Sequence, residues 1–282
     1  MSGPSPNARR IPVCEPYLAD REAEYVRDCV GSTWISSAGK YLSAFEEGFA
    51  RYCGCDHGIT TTSGTTALHL ALAARGLGPG DEIIMPAFTI AATVFAALYT
   101  GATPVLVDSD PDTWTMRVEE VAAKVGPRTR AILPVHIYGH PCDMDPISEL
   151  ARRHHLWVLE DAAEVHGAEY KGRKCGSLGD AACFSFYANK IISTGEGGMV
   201  VTSDAAFAER CRSLKNLAFN RDRRFLHDAI GFNYRMTNVQ AAIGLAQLEK
   251  VDEYVALRRR HGASYTALLR NVEGYRAQVK GY

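Results

Sequence analysis

The chain has 282 residues, of which 46% are hydrophobic and 22% are charged, and its formal net charge is -1. This length is enough to bury one large core, or a large domain and a small one. The nearly neutral charge argues against a surface for nucleic acid or anionic lipid, and no apolar run is long enough to span a bilayer.

The termini and the cysteines indicate the setting of the protein. Residues 1–15 predict a flexible, polar arm without the apolar segment of a secretory signal. The eight cysteines have no paired spacing, so we expect buried thiols in the reducing cytoplasm. Cys53, Cys55 and His57 are metal-ligand residue types in one cluster, but no second pair has matching spacing. No metal site is therefore predicted.

Apolar runs and helical patterns alternate along the chain. The predicted helices are Asp20–Val30, Lys40–Tyr52, Thr65–Arg75, Thr89–Tyr99, Met144–His155, Ala205–Leu217, Asn238–Val251 and Val255–Asn271. The predicted strands are Gly58–Thr62, Glu82–Met85, Pro104–Val107, Ala131–Val135, Trp157–Leu159, Ala181–Phe186 and Met199–Thr202. Continuously apolar strands separated by helices predict an α/β fold, with a largely parallel sheet covered on both faces.

A helix start follows the first predicted strand. Ser63 or Thr65 can cap this helix, and Gly64 allows a ligand to approach its free backbone amides, an arrangement typical of phosphate sites. A plain helix cap would explain the same residues. The glycines of residues 76–80 resemble a dinucleotide loop, but they follow a helix and precede a strand, so no nicotinamide cofactor is predicted.

Two further strands end in residues that could hold a flat ring. Phe88 follows the strand Glu82–Met85, at the strand end where open α/β sheets bind ligands. Asp161 follows the strand at 157–159, where a carboxylate could hold a protonated pyridine nitrogen. An exposed acidic turn, with Glu160 and Glu164 in solvent, is the alternative.

Lys190 lies in a glycine-rich turn beyond the predicted strand Ala181–Phe186. Shelter from water would lower the pKa of such a lysine and leave a neutral amine for a Schiff base. A solvated loop lysine is the ordinary alternative. Together with the phosphate-type helix start and Asp161, however, Lys190 completes the set that a pyridoxal phosphate enzyme requires.

These motifs, in this order, resemble the DegT family of nucleotide-sugar aminotransferases, within the fold type I pyridoxal phosphate enzymes. The matching segments are Ser63–Leu72, Pro79–Thr89, Asp161–Ala168, Phe184–Gly198 and Gly231–Glu249. Residues 135–144 and 186–190 are most similar to the GDP-perosamine synthase branch. The resemblance implies a large domain at residues 16–250, built on a mostly parallel, mixed seven-stranded sheet.

The resemblance also implies roles for single residues. Lys190 would form the Schiff base and move the proton, while Asp161 would keep the pyridine nitrogen protonated. Glu164 would lie beside the ring hydroxyl and Phe88 would stack on the ring.

The cofactor phosphate has its own residues in the family. Gly64, Thr65 and Ser185 match those that hold it, and Asn233 matches an asparagine that a neighbouring subunit contributes. The resemblance therefore implies a homodimer with shared active sites.

The implied reaction moves an amino group from an amino acid, expected to be L-glutamate, to a nucleotide-linked 4-keto-6-deoxy sugar in polysaccharide or amino-sugar biosynthesis. Residues 251–282 would begin a small C-terminal domain that is longer in the family, so truncation is expected here. A truncated, non-catalytic relative that binds the cofactor or a partner subunit is one alternative. Another fold type I enzyme, a lyase or an aldolase, is the second.

Overall fold

The computed structural model describes residues 12–220, 223, 225–227 and 229–279. Most of the predicted arm, residues 1–11, and the last three residues of the chain lie outside this part. The helices are α1 (Asp20–Gly31), α2 (Lys40–Cys53), α3 (Gly64–Arg75), α4 (Ala91–Thr100), α5 (Val118–Lys124), α6 (Met144–His154), α7 (Ala205–Lys215), α8 (Asn238–Leu248) and α9 (Val251–Leu269). None of these helices is long and apolar enough to cross a membrane.

The strands form one large sheet and one small hairpin. They are β1 (His57–Thr61), β2 (Glu82–Pro86), β3 (Thr103–Val107), β4 (Thr129–Ile132), β5 (Trp157–Asp161), β6 (Glu169–Tyr170), β7 (Arg173–Lys174), β8 (Ala181–Ser185) and β9 (Gly198–Thr202). β6 and β7 form the hairpin, and the other seven strands are ordered β1-β9-β8-β5-β4-β2-β3.

Strand direction in the large sheet is nearly uniform. β3, β2, β4, β5 and β8 pair in parallel, whereas β9 is antiparallel to both of its neighbours, β8 and β1. β1 therefore runs the same way as β8, and β9 alone is reversed. The predicted mixed, mostly parallel seven-stranded sheet is confirmed.

Helices cover both faces of the sheet. Along β5, Val158 packs into the apolar cluster beneath α2, α6 and α8, whereas Trp157 and Leu159 pack into the cluster beneath α3, α4 and α7. Successive side chains of a strand point to opposite faces, so each buried strand supplies both clusters. This burial on two faces explains why the strands are apolar throughout.

The predicted elements are all present, with boundaries that differ by a few residues. α4 begins at Ala91 rather than Thr89, and α9 begins at Val251 rather than Val255. The short helix α5 and the hairpin β6–β7 were not predicted. Seven residues of helix and two residues per strand are too short to give a clear periodic pattern.

Candidate active site

The residues that follow β1, β2, β5 and β8 meet at one edge of the sheet, because these strands run in the same direction. Most of the side chains selected from the sequence lie there.

The loop that carries Lys190 is closed at its base by the backbone of Phe186. The N–H of Phe186 donates to the carbonyl of Gly197 at 2.8 Å, and its carbonyl accepts from the N–H of Thr194 at 2.9 Å. The side chain of Lys190 is only 15% exposed, and its Nζ lies 3.2 Å from Glu164 Oε1. The interpretation of Lys190 as a solvated loop lysine is therefore wrong.

Glu164 links Lys190 to the next loop of the site. Its Oε1 accepts from Lys190, and its Oε2 accepts from the backbone N–H of Tyr138 at 2.8 Å. The carboxylate is thus held between one side chain and one backbone amide. The predicted place of Glu164 next to a cofactor hydroxyl stays a prediction.

Asp161, the last residue of β5, is 3% exposed and faces α4. Its Oδ2 accepts from the hydroxyl of Thr93 at 2.7 Å, and its Oδ1 accepts a longer bond from the N–H of Ala163 at 3.3 Å. Burial raises the pKa of Asp161 above its usual value, although these two donors and the charge of Lys190 oppose the shift. The carboxylate is buried with few donors, so a cationic partner would stabilise its charge.

Glu160, the preceding residue, has a different environment. It is fully buried, and its oxygens accept from the N–H groups of Gly176, Leu178 and Gly179 at 2.8 Å each. His136 Nε2 lies 2.9 Å from Glu160 Oε2. Burial alone would raise the pKa of Glu160, but these hydrogen bonds outweigh it and the pKa is lowered. The exposed acidic turn considered from the sequence is therefore wrong for Glu160, whereas the side chain of Glu164 is 31% exposed and is paired with Lys190.

One group of buried residues resembles a metal site in composition. The ligand atoms of His136, Glu160 and Cys175 lie within 4.8 Å of one another. The His136 ring already has two partners, because its Nδ1 accepts from the N–H of Cys142 at 3.0 Å and its Nε2 bonds to Glu160. This arrangement fits a hydrogen-bonded structural network.

His166 lies on the same face of the sheet, packed against the rings of Phe184 and Phe186. It is 2% exposed. Burial, and secondly the charge of Lys190, lower the pKa of His166 to about 3. The imidazole is therefore neutral and adds no positive charge beside the lysine.

The start of α3 follows β1 and lies beside Ser185, the last residue of β8. The Ser63 hydroxyl caps the N–H of Thr66, which leaves the N–H groups of Gly64 and Thr65 ahead of the first intrahelical bonds. A methyl group on Gly64 would come within 2.8 Å of the Ser185 side chain. The chain thus places two free amides beside a hydroxyl, in a space that only glycine leaves open.

An aromatic ring and a cavity complete the edge. Phe88 is 45% exposed, and its ring centroid lies 6.1 Å from that of Tyr138. A cavity of about 1090 Å³ opens beside Lys190, Glu164 and Tyr138. The cavity is also lined by residues of α9 and the residue after it, among them three arginines, Arg258, Arg259 and Arg270.

Asn233 is exposed and lies in the segment between α7 and α8, where it forms an isolated β-bridge with Asn216. None of the hydrogen bonds described for Lys190, Glu164 and Asp161 involves it. The predicted site residues other than Asn233 all lie at or after the carboxyl ends of β1, β2, β5 and β8.

Two residues of the site were missed from the sequence. Thr93 could have been found, because Thr89 and Thr93 are spaced one helical turn apart in the sequence. In the structure their hydroxyls are 2.8 Å apart, and that of Thr93 donates to Asp161. Tyr138 holds Glu164 through a backbone amide, and no side-chain pattern signals that contact.

Comparison with known proteins gives a consistent result. A model of the DegT/DnrJ/EryC1/StrS aminotransferase family matches residues 16–280. The chain is 56% identical over 251 residues to the GDP-perosamine synthase of Caulobacter vibrioides, covering 89% of this chain and 68% of that protein. It is 51% identical over 249 residues to the GDP-perosamine synthase of Escherichia coli O157:H7, covering 88% and 68%. It also resembles the structure of DesI in the presence of its TDP-sugar product, with a TM-score of 0.89, 39% identity, and coverage of 96% of this chain and 69% of that one.

Proposed function

The chain belongs to the DegT/DnrJ/EryC1/StrS aminotransferase family, and from that premise we propose that it transfers an amino group from L-glutamate to a nucleotide-linked 4-keto-6-deoxy sugar, with pyridoxal phosphate as cofactor. The observation that carries the proposal is the sheltered amine of Lys190, 15% exposed and 3.2 Å from Glu164, at the edge where Asp161 also ends its strand.

The residues present fit pyridoxal phosphate at each of its polar groups. The free amides of Gly64 and Thr65, with the hydroxyl of Ser185, suit the phosphate. Asp161 is a buried carboxylate with a raised pKa, which suits a protonated ring nitrogen, because the cation would restore the charge that burial disfavours. Phe88 is exposed at the same edge and can stack on the ring.

The bound cofactor would supply an electron sink and a carrier for the amino group. Lys190 would hold the cofactor through its aldehyde carbon, and its amine, when displaced by the amine of the substrate, would serve as acid and base at the reacting carbon. Glu164 would orient Lys190 and the ring hydroxyl, since it already holds the lysine at 3.2 Å. Asp161 would keep the ring nitrogen charged, and Thr93 would orient Asp161 by a 2.7 Å hydrogen bond.

The cavity beside Lys190 supports an anionic, extended substrate. Its volume of about 1090 Å³ exceeds that of a typical small-molecule pocket, and Arg258, Arg259 and Arg270 are among its lining residues. Guanidinium groups suit a diphosphate. A sugar linked to a nucleotide diphosphate would place its keto carbon near Lys190 and its diphosphate near these arginines.

Two features support a homodimer with shared sites. Asn233 is exposed and forms none of the hydrogen bonds described for Lys190, Glu164 and Asp161, so it is available to the site of a second copy. The apolar side chains of Ile90, Phe95 and Leu98 on and beside α4 are 68%, 47% and 51% exposed, which is unusual for a surface that stays in water.

Turnover tests the proposal directly. The purified chain, loaded with pyridoxal phosphate, is mixed with glutamate and with GDP-, UDP- or dTDP-linked 4-keto-6-deoxyhexoses, and the amino sugar is identified by mass. The proposal predicts 2-oxoglutarate and an amino sugar in equal amounts. A bound cofactor with no product from any of these sugars would favour the non-catalytic relative. Release of more than one equivalent of 2-oxoglutarate per bound cofactor, without consumption of a sugar, would contradict the proposed acceptor.

A further inference from the structure

Two bulky aromatic residues next to the site have left-handed backbones. Tyr138 has φ 52° and Trp114 has φ 61°. Their rings pack edge to face, with centroids 6.0 Å apart and an interplanar angle of 85°. Left-handed backbone is uncommon for large side chains and persists only where the surroundings hold it. Such residues tend to occur at ligand-binding sites.

Three contacts fix the position of Tyr138, yet much of the residue is exposed to solvent. Its N–H donates to Glu164 Oε2 at 2.8 Å, and its ring packs against Phe88 on one side and Trp114 on the other. The residue is nevertheless 63% exposed and lines the cavity beside Lys190. The fold thus fixes the position of an aromatic side chain and leaves much of its surface uncovered.

The position of Tyr138 limits which part of a substrate can contact its ring. One carboxylate, that of Glu164, separates its backbone from Lys190 Nζ. The carbon that accepts the amine must approach Lys190, so the part of the substrate within reach of the Tyr138 ring is the sugar itself. The nucleotide lies beyond, toward the arginines of the cavity wall.

We propose that Tyr138, supported by Trp114, is a substrate-positioning residue whose ring packs against the hexose of the nucleotide sugar. The proposal rests on the function proposed above and adds a recognition element for the acceptor. A deoxy sugar presents C–H groups and a methyl group, which gain more from an aromatic surface than hydroxyl groups do. The ring of Tyr138 therefore favours a sugar with an apolar edge.

Glycine substitution separates the ring from the backbone. Tyr138→Gly removes the ring and suits a left-handed φ, so the loop and the amide that holds Glu164 should persist. Tyr138→Phe keeps the ring and removes only the hydroxyl. His155→Gly is the matched control, since His155 has φ 54° but caps α6 before β5, at the opposite edge of the sheet.

Binding is measured by calorimetry on the cofactor-loaded proteins, with a GDP-, UDP- or dTDP-linked 6-deoxyhexose that the parent binds, and with the same nucleoside diphosphate alone. We expect Tyr138→Gly to weaken binding of the sugar nucleotide about tenfold and binding of the bare nucleotide less than about twofold. Tyr138→Phe and His155→Gly should match the parent with both ligands.

Other outcomes separate this inference from the proposed function. Equal affinity of Tyr138→Gly and the parent for the sugar nucleotide would overturn the role of Tyr138 and leave the aminotransferase proposal standing. Equal weakening toward the sugar nucleotide and the bare nucleotide would also overturn it, because a ring that packs against the hexose cannot strengthen binding of a nucleotide that has no hexose. A parent protein that binds none of the sugar nucleotides would refute both.

Discussion

Two neighbouring carboxylates of β5 are both buried, yet they have opposite environments. Glu160 points toward the α2, α6 and α8 side, where three backbone amides and His136 surround its oxygens. Asp161 points toward α4, where one hydroxyl and one long amide contact approach it. The pKa of Glu160 is lowered and that of Asp161 is raised. The strand thus carries a fully bonded structural acid on one face and an acid with unused acceptor capacity on the other.

The same contrast separates two lysines. Lys190 and Lys215 are both 15% exposed, and each forms an ion pair with a glutamate. Lys215 Nζ also lies within hydrogen-bond distance of the carbonyl and the hydroxyl of Thr60, whereas Glu164 is the only hydrogen-bond partner of Lys190 Nζ among the described residues. Burial is therefore shared by structural and candidate catalytic groups, and unfilled bonding capacity distinguishes them.

Replacing Asp161 should reduce activity without reducing stability. Asp161→Asn keeps the shape and the contact with Thr93 but removes the charge that would hold the ring nitrogen protonated. We expect the turnover rate to fall on the order of a hundredfold to a thousandfold. Melting of the cofactor-free protein should be unchanged or shifted upward, because an ionised carboxylate with a raised pKa costs stability at neutral pH. A variant as active as the parent would refute the assigned role.

Replacing Glu160 should reduce stability with much less effect on activity. Glu160→Gln leaves at least one backbone amide facing an amide N–H₂ group and removes the charge that His136 contacts. The expected loss is about 3 kcal/mol of unfolding free energy, measured by urea denaturation. Activity per folded molecule should stay within about fivefold of the parent, far less than the loss from Asp161→Asn. The reverse ranking of the two variants would contradict the contrast.

The pH dependence of stability should separate the two acids by sign. The lowered pKa of Glu160 means that its contribution is present above the unfolded pKa, about 4.3, and is lost as the pH falls through the folded pKa. The stability difference between the parent and Glu160→Gln should therefore shrink below about pH 4. Asp161 has a raised pKa, so its contribution becomes less favourable as the pH rises. A difference that stays constant from neutral to acid pH would be inconsistent with a charged Glu160.

Thr93→Val gives the smallest expected change. Loss of the 2.7 Å hydrogen bond to Asp161 leaves the carboxylate with one weak donor. Affinity for pyridoxal phosphate should fall by about tenfold or less, corresponding to about 1 kcal/mol for one hydrogen bond. Thr89→Val is the control, because Thr89 contacts Thr93 but not Asp161. Equal effects of the two variants would show that Thr93 does not act through Asp161.

The sequence predicts the positions of the site residues better than their environments. Apolar runs locate β5 and β8, so Asp161 and Lys190 could be placed just beyond or at strand ends. Alternation along β5 indicates that Glu160 and Asp161 face opposite sides, but it cannot show that the amides of Gly176, Leu178 and Gly179 converge on one of them. Contacts of that kind join distant segments through the backbone, which carries no residue-specific signal.

The left-handed backbone of Tyr138 was equally hidden, since an aromatic residue does not favour it. Glycine, by contrast, was informative: Gly64 was predicted to allow close approach at the start of α3, and the structure places Ser185 against it. The resemblance supplied Asn233, whose role depends on a second chain and so remains a prediction.

The most direct test is to locate the lysine that carries the cofactor. The protein is incubated with pyridoxal phosphate, reduced with borohydride and digested, and the modified peptide is sequenced by mass. The role assigned to Lys190 predicts that the label lies on this residue and not on the equally buried Lys215, and that Lys190→Ala loses it while remaining folded. Label on Lys215, or label spread over exposed lysines and unchanged in Lys190→Ala, would refute that role.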